Sequence, residues 1–422
     1  MKINTSISIG NLISFMGILL LTPMLIYPLL SQGNMLLLTE FAVMAISCYL
    51  IIRKIHSFAF KDKLIIMWLL TILPVVINSN ALANRQIGYT VLFVSILIFI
   101  LAAIQYQGYS FKNLIILIGV LTCIYTISTI VFSCNLDFGL SSIAMLFRTK
   151  IYQGTLASAG FTSHYTHNSM YIALGAVAWF AFAVNTKKKT HIILCLLSIV
   201  AMLFTQKRGP LIALVISMLL TAVIRERGTL SKRLGKYLVV GIVILFLIYI
   251  AYLLFPVLFA VFDRFSNNDN MLSNRQYFWE YAWDLFKSSP ILGHGWAYYA
   301  NTLNLTIKTI DVTLQNTHNI YLQLLAETGI IGTLIFIVPM IFTLFTCIKQ
   351  IRENTKAIVA PELAFSFCFQ IFFLIYGFSE NPLYDRQMFI PYMLAVAITL
   401  YHEVSYKISK RKVGYVKAKK LS

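Results

Sequence analysis

Charge is scarce in this 422-residue chain: Asp, Glu, Lys and Arg make up 12% of it, against roughly 25% in an ordinary soluble domain. Acid is scarcer still, with 15 Asp and Glu against 34 Lys and Arg. Cysteine is sparse too. The six lie mostly inside or beside apolar runs with no CxxC spacing, so a disulfide or zinc framework is not expected and they read as small core hydrophobes. There is no DxD, no HExxH and no Cys/His set at ligand spacing. Metal catalysis therefore has no support, and no cofactor is expected. The absence of a nucleophile elbow removes a Ser-His-Asp hydrolase. No repeat of 20–50 residues is visible and the two halves do not mirror each other, which argues against a transporter built from repeats.

What the chain has in quantity is hydrophobic length. Stretches such as "YLVVGIVILFLIYIAYLLFPVLFAVF" (237–262) exceed the roughly 20 residues needed to cross a bilayer core. Twelve spans are predicted, near 9–30, 34–52, 64–79, 88–105, 113–134, 168–185, 191–206, 209–224, 237–262, 329–348, 359–378 and 387–404. The first span is too long for a signal peptide and lacks a small-residue cleavage site, so no removal is expected. With the N-terminus inside, 24 of the 34 basic residues fall on one side, and the positive-inside rule then puts both termini in the cytoplasm. The +19 net charge thus sits where anionic membrane lipid attracts it, which disposes of nucleic acid as a partner. The basic tail 405–422 reads as a membrane-surface anchor.

The fold class that follows is an all-α polytopic membrane protein of about twelve transmembrane helices with a helical loop domain on the outer face. Residues 1–262 hold spans one to nine with an outer loop at 135–167. Residues 263–328 form the second and longer outer segment, and 329–404 hold the last three spans. Cytoplasmic loops are too short for a catalytic domain.

The 263–328 segment carries most of the polar signal. "SNRQYFWEYAWDLFKSSP" begins with Ser273 and has Gln276 three residues on, a capping-box pattern. Tyr277, Tyr281 and Leu285, with Phe278, Ala282 and Phe286 beside them, recur at helical spacing until Pro290. The spacing predicts an amphipathic, interfacial helix of about four turns. "GHGW" (293–296) reads as a flexible turn. Thr317 is a plausible N-cap for a helix starting near His318, which "ETGIIG" (327–332) breaks or kinks into span ten. The tripeptide Thr-His-Asn at 317–319 also occurs at 166–168, again before an apolar run.

Three side chains invite a choice between readings. Arg275 sits in the first turn of its helix, where the macrodipole disfavours a cation. Either a salt bridge to an acid such as Asp269 compensates it, or an anionic ligand does. Lys207 and Arg208 occupy a very short outer turn, "FTQKRGPLIAL", where the positive-inside rule disfavours them. Arg208 either snorkels to headgroups or meets an anion. His318 is either a packing or capping residue or a base, since the positive end of a helix disfavours an imidazolium. Acids on the outer side, among them Asp263, Asp269, Glu280, Asp284, Glu327, Glu380 and Asp385, look sparse and unclustered.

"LGHGWAYY" followed by "NTHNIYLQLLAETGIIGTLIFI" resembles the signature of the O-antigen ligase and O-antigen polymerase superfamily (Wzy/WaaL type): a G-x-G turn, then H-N, an aliphatic helix and E-x-G-x-x-G. "TQKRGPL" resembles the family's Arg-bearing turn, "NRQYFWEYAWDLFKSSPILGHG" its Arg-to-Pro-Leu-Gly helix, and "GFTSHYTHNSMYIAL" its entry to an earlier span. The resemblance covers about 160–335. It implies a metal-independent membrane glycosyltransferase of the bacterial inner membrane, acting in lipopolysaccharide, capsule or exopolysaccharide biosynthesis. Its donor would be an undecaprenyl-pyrophosphate-linked oligosaccharide, and a flippase and a chain-length regulator would be its partners. His318 then looks like the acceptor-activating base, and Arg208 and Arg275 like the pyrophosphate-binding pair. Lys207, Asn319 and Glu327 are candidate substrate-lining residues, while His167 and Asn168 are either lining or structural.

That chemistry suits those residues. A sugar leaving from C1 on a pyrophosphate needs no general acid, only cations to hold the departing charge, while the attacking hydroxyl needs a base. The compact outer loop favours a repeat-unit polymerase; the alternatives are a ligase that moves a finished glycan to lipid A core, and a twelve-span transporter or flippase.

Overall fold

In the computed structural model, placement is described for residues 9–30, 33–53, 62–77, 87–106, 110–134, 157–226, 275–299, 316–353 and 360–421, with residues 139 and 235. All the elements are helices: α1 (Ile9–Leu30), α2 (Gly33–Arg53), α3 (Lys63–Leu70), α4 (Ile72–Val76), α5 (Ile87–Gln105), α6 (Lys112–Ser133), α7 (Tyr165–Thr186), α8 (Lys189–Phe204), α9 (Arg208–Arg225), α10 (Arg275–Ser288), α11 (Ile320–Glu353), α12 (Ala360–Tyr376) and α13 (Arg386–Leu421). Among the described residues five helical segments are long and apolar enough to cross a membrane: Lys112–Ser133, Tyr165–Thr186, Arg208–Arg225, Ile320–Glu353 and Arg386–Lys410. Shorter apolar helices run over Gly10–Ile26, Lys63–Val76, Thr90–Gln105, Lys189–Phe204 and Pro361–Tyr376. Helices thus lie where spans are expected except at 237–262, which is outside the described residues, as are 135–156 apart from residue 139.

The bundle is built around α7, α12 and α13. Their faces are closed by large side chains such as Tyr171, Phe365, Phe369, Phe372, Tyr376 and Tyr392, all fully buried. By contrast α8 and α9 expose Ile193, Leu196, Ile212 and Val215, the apolar-outward pattern of helices whose backbone is satisfied internally and whose rim faces hydrocarbon.

Three local expectations change. α10 spans 14 residues as predicted in kind, but it does not lie alone at an interface: Phe278 and Ala282 are buried against Tyr299 and Ala326. Ser273 lies outside the described residues. The helix expected near His318 starts at Ile320, and its cap is Asn319 rather than Thr317, because Asn319 Oδ1 accepts from the amides of Tyr321 (3.1 Å) and Leu322 (3.2 Å). His318 has φ 52°, a left-handed backbone that breaks helical register just before the cap.

The kink is real and has a cause. Gly329 inside α11 has φ 61° and ψ −168°. The amides and carbonyls freed there are taken up by the 290–295 loop. Ile330 N donates to Pro290 O (2.9 Å), Ile331 N to Ile291 O (3.2 Å), His294 N to Ala326 O (3.1 Å) and Gly295 N to Glu327 O (2.7 Å). A Cβ on Gly293 would stand 2.4 Å from the Glu327 carbonyl, and one on Gly329 2.4 Å from that of Ile291. The "GHGW" turn is therefore a docked strap rather than a flexible linker, and Gly293 is there so that two backbones can touch.

Candidate active site

The turn joining α12 to α13, residues 377–385, folds tightly on the end of α12, with the amides of Ser379 and Glu380 both donating to Tyr376 O at 3.0 Å. This fold presents the Glu380 carboxylate to three other loop ends. Its Oε2 lies 2.6 Å from His318 Nδ1, and its Oε1 lies 3.0 Å from Arg275 Nη2 and 4.0 Å from Lys207 Nζ. Arg275 uses its other fork nitrogen on Ser379 O at 2.6 Å. Burial pushes the Glu380 carboxyl up, but the hydrogen bond and electrostatic interaction with His318, followed by the charges of Lys207 and Arg275, more than offset this and hold it below the usual carboxylate range.

The consequence for His318 is chemical. A carboxylate can only accept, so Nδ1 donates to it and Nε2 is the ring position that can exchange a proton with a substrate. The His318 side chain keeps 32% of its surface, against 12% for Glu380, so the ring is fixed in orientation and part-exposed.

Beneath this pair runs a buried polar chain. Trp279 Nε1 donates to Thr317 O (3.1 Å), and Thr317 Oγ1 donates to Asn319 O (2.6 Å). Asn381 links Thr317 Oγ1 (3.3 Å) to Gln323 Oε1. Gln323 Nε2 then donates to Glu327 Oε1 at 3.2 Å. Glu327, 0% exposed, also accepts from the amides of Ala297 (3.0 Å) and Tyr299 (3.1 Å) and from the Tyr384 hydroxyl. Four protein donors surround its carboxylate, and it ties the strap, the head of α11 and the Glu380 turn into one unit.

The other candidates are placed as follows. Lys207 also lies over the Tyr165 ring, 4.9 Å from its centroid, and the preceding Gln206 is left-handed at φ 53°. Arg208, half-buried, heads α9 next to Gly209, where a Cβ would be 2.5 Å from Ser379 Oγ; the α9 N-terminus therefore abuts the Glu380 turn. His167 lies within electrostatic reach of Glu380 and Lys207. Asn168 is fully buried and donates to Thr129 Oγ1 (2.7 Å) and Ser158 O (3.1 Å), a structural tie between α7, α6 and the 157–160 loop. His164 caps α7 by accepting from Thr166 N at 3.1 Å; burial, aided by Lys207 and His167, pushes its pKa down to about 4.

The residue missed from the sequence is Glu380. Asp269, the acid first considered for Arg275, lies outside the described residues. "FSENPLYDRQ" does carry a signal, a polar turn between two apolar helices, but nothing local pairs it with a histidine 62 residues earlier. Among the described residues no group of three or more His, Cys, Asp or Glu could hold a metal ion.

A search of the curated proteins returned no match. A family model described as O-antigen ligase matches residues 193–337, the segment that contributes Lys207, Arg208, Arg275, the strap, His318 and Glu327 but not Glu380. That match, joined to the G-x-G, H-N and E-x-G elements assembled above, supports the O-antigen ligase and polymerase superfamily for this segment of the chain.

Proposed function

We propose that the protein is a polysaccharide repeat-unit polymerase that transfers a glycan from an undecaprenyl-pyrophosphate carrier to a sugar hydroxyl on a second lipid-linked unit, without a metal. The observation that carries this reading is the His318–Glu380 pair, joined through Nδ1, standing among Arg275, Lys207 and the head of α9. In the reaction, the acceptor oxygen bonds to C1 of the donor sugar as its proton passes to His318 Nε2. The C1–oxygen bond to pyrophosphate breaks, and its electron pair leaves with the lipid pyrophosphate. Glu380 steadies the imidazolium that forms. Lys207 and Arg275 both face Glu380, and Arg208 heads the helix that abuts the same turn, so cations stand at this end of the bundle for the leaving group. Asn319 shapes the loop by capping α11, and His167 lines the same end.

In this reading the chain crosses the membrane twelve times with both termini cytoplasmic, the site faces the outer side, and 263–328 is the outer loop that carries the base. A flippase would deliver the substrate, and a chain-length regulator would limit the product. The description of the matched family favours a second reading, ligation of a finished glycan to lipid A core. Purified protein in liposomes separates them. Given only undecaprenyl-pyrophosphate-linked repeat units, a polymerase produces a ladder of longer lipid-linked glycans. Transfer only after lipid A core is added would replace polymerase by ligase, and no transfer in either mixture would remove both.

A further inference from the structure

The Thr-His-Asn triplet at 166–168 has no part in the chemistry described so far, yet the head of α7 that carries it lies within electrostatic reach of Glu380 and Lys207. That head is braced. Asn168, fully buried, ties it to Thr129 and Ser158. His164 caps it through Nδ1, and the Tyr165 ring stacks on the His164 ring with centroids 4.1 Å apart and planes at 29°. Against this braced ring stands the Lys207 ammonium, 4.9 Å from the ring centre and 4.0 Å from Glu380 Oε1. An aromatic face attracts a cation within roughly 6 Å of its centre. Gln206, left-handed at φ 53°, turns the chain out of α8 just before Lys207. The imidazole behind the ring has to stay uncharged, since a cation there would repel the ammonium and could no longer accept from the Thr166 amide through Nδ1. Burial, aided by Lys207 and His167, holds the His164 pKa at about 4, so it is neutral at physiological pH.

We infer that Tyr165 is a positioning residue: its ring holds the Lys207 ammonium beside Glu380, where the leaving pyrophosphate can draw on its charge. The inference rests on the function proposed above and deepens it. Arg275 spends both fork nitrogens on protein, Nη1 on Ser379 O and Nη2 on Glu380 Oε1 at 3.0 Å. Glu380 thus has a closer cationic partner than Lys207, which stands at 4.0 Å. Lysine carries its point charge on a flexible four-carbon stem, so a carboxylate at that distance does little to fix it. The aromatic face supplies the second hold. It also holds the ammonium without neutralising it, because a ring quadrupole carries no net charge. A lysine locked onto a carboxylate would have to break that pair before serving a phosphate; one steadied by a ring does not.

The test uses the full protein in nanodiscs and measures affinity for undecaprenyl pyrophosphate together with turnover on undecaprenyl-linked repeat units. Tyr165 is replaced by Phe and then by mono-, di- and trifluorinated Phe, which keep the shape of the ring while draining its negative face. Affinity and turnover should fall stepwise along the series, by about three- to tenfold from Phe to the trifluorinated ring. Tyr165→Leu should lose at least as much as the last member. In a Lys207→Met background the same series should have no effect, because the ammonium on which it acts is gone. A ring that only packs gives a flat series, or equal losses with and without Lys207, and either result would overturn the assignment. A graded loss of affinity with no glycan transfer by the unsubstituted protein would leave the positioning role standing and defeat the proposed function instead.

Discussion

The molecule contains two histidine–glutamate pairs at opposite ends of α12, and they are built for different ends. At one end Glu380 meets His318 Nδ1 at 2.6 Å; at the other Glu362 meets His402 Nε2 at 2.9 Å. Glu362 is further satisfied by Ser110 Oγ at 2.5 Å and the Lys112 amide at 2.9 Å, and His402 is only 12% exposed. Nearby, Lys407 bridges Asp62 at 2.6 Å and Glu403 at 3.2 Å. These contacts fasten α13 to the starts of α3, α6 and α12. The His318 pair instead has Arg275 and Lys207 beside its carboxylate and a ring that is 32% exposed. An acid–imidazole pair becomes a reagent when one nitrogen stays accessible and the neighbouring charge is unbalanced, and a staple when neither holds.

Mutating each pair is the sharpest way to break that comparison. His318→Ala should lower turnover per folded molecule by about 10²–10⁴-fold, the range for a lost general base, with insertion and yield unchanged. His402→Ala should leave turnover per folded molecule at the wild-type value. A conventional rate in His318→Ala would remove it from the chemistry.

Next in size are the arginines. Arg208→Ala and Arg275→Ala should each cost on the order of 10²-fold in rate if both serve the leaving pyrophosphate. Lys at either position should rescue in part, because a point charge cannot reproduce the fork. The double variant should fall well short of the product of the two losses. Arg275→Ala should also lower thermal stability, since it strips donors from Ser379 O and Glu380. Lost stability with normal turnover and normal undecaprenyl pyrophosphate affinity would make Arg275 a brace only.

Glu380 gives the comparison a pH dependence. Its carboxyl is held below the usual range, so its folded pKa lies below its unfolded one. The stability it contributes is complete above the unfolded carboxylate value and is lost as pH falls through the lower folded value. The melting temperatures of wild type and Glu380→Gln should therefore converge as the buffer is acidified. A gap that stayed constant down to strongly acidic pH would mean that the carboxylate charge is not what matters. At neutral pH the variant should also be slower, because an amide does not stabilise an imidazolium as a carboxylate does.

Smaller effects are expected at the staple. Glu362→Gln should destabilise by about 1–3 kcal/mol, the cost of leaving buried partners poorly matched, while turnover per folded molecule holds. Smallest of all is the expected response to EDTA, which is none. Activity lost to chelation and restored by Mg²⁺ or Mn²⁺ would reveal a ligand set beyond the described residues.

Much of this was legible in the chain. Apolar runs of bilayer length are a local property, so helices appear where the spans are expected at α6, α7, α9 and α13. The kink at "ETGIIG" was legible because a glycine next to a helical run is a local signal too. The identity of the cap was not: whether Thr317 or Asn319 caps α11 depends on the backbone angle of His318, which is set by its bond to another loop. The same holds for "GHGW", whose glycines read as freedom until the strap was seen against the kink.

The division between sequence and structure runs along contact distance. Hydropathy by itself pointed to an all-helical chain with membrane-length spans, and the H-N and E-x-G elements carry the likeness to the O-antigen ligase family over 193–337 and point to His318, Arg208 and Arg275. Only the tertiary structure decided that Glu380 orients His318 and engages Arg275, that Glu327 ties the strap to the Glu380 turn, and that Glu362 with His402 is a fastening. Each of those depends on which helix ends meet across 28 to 252 residues of chain. A carboxylate shows no sign in its own neighbourhood of the charge that packing will bring to it.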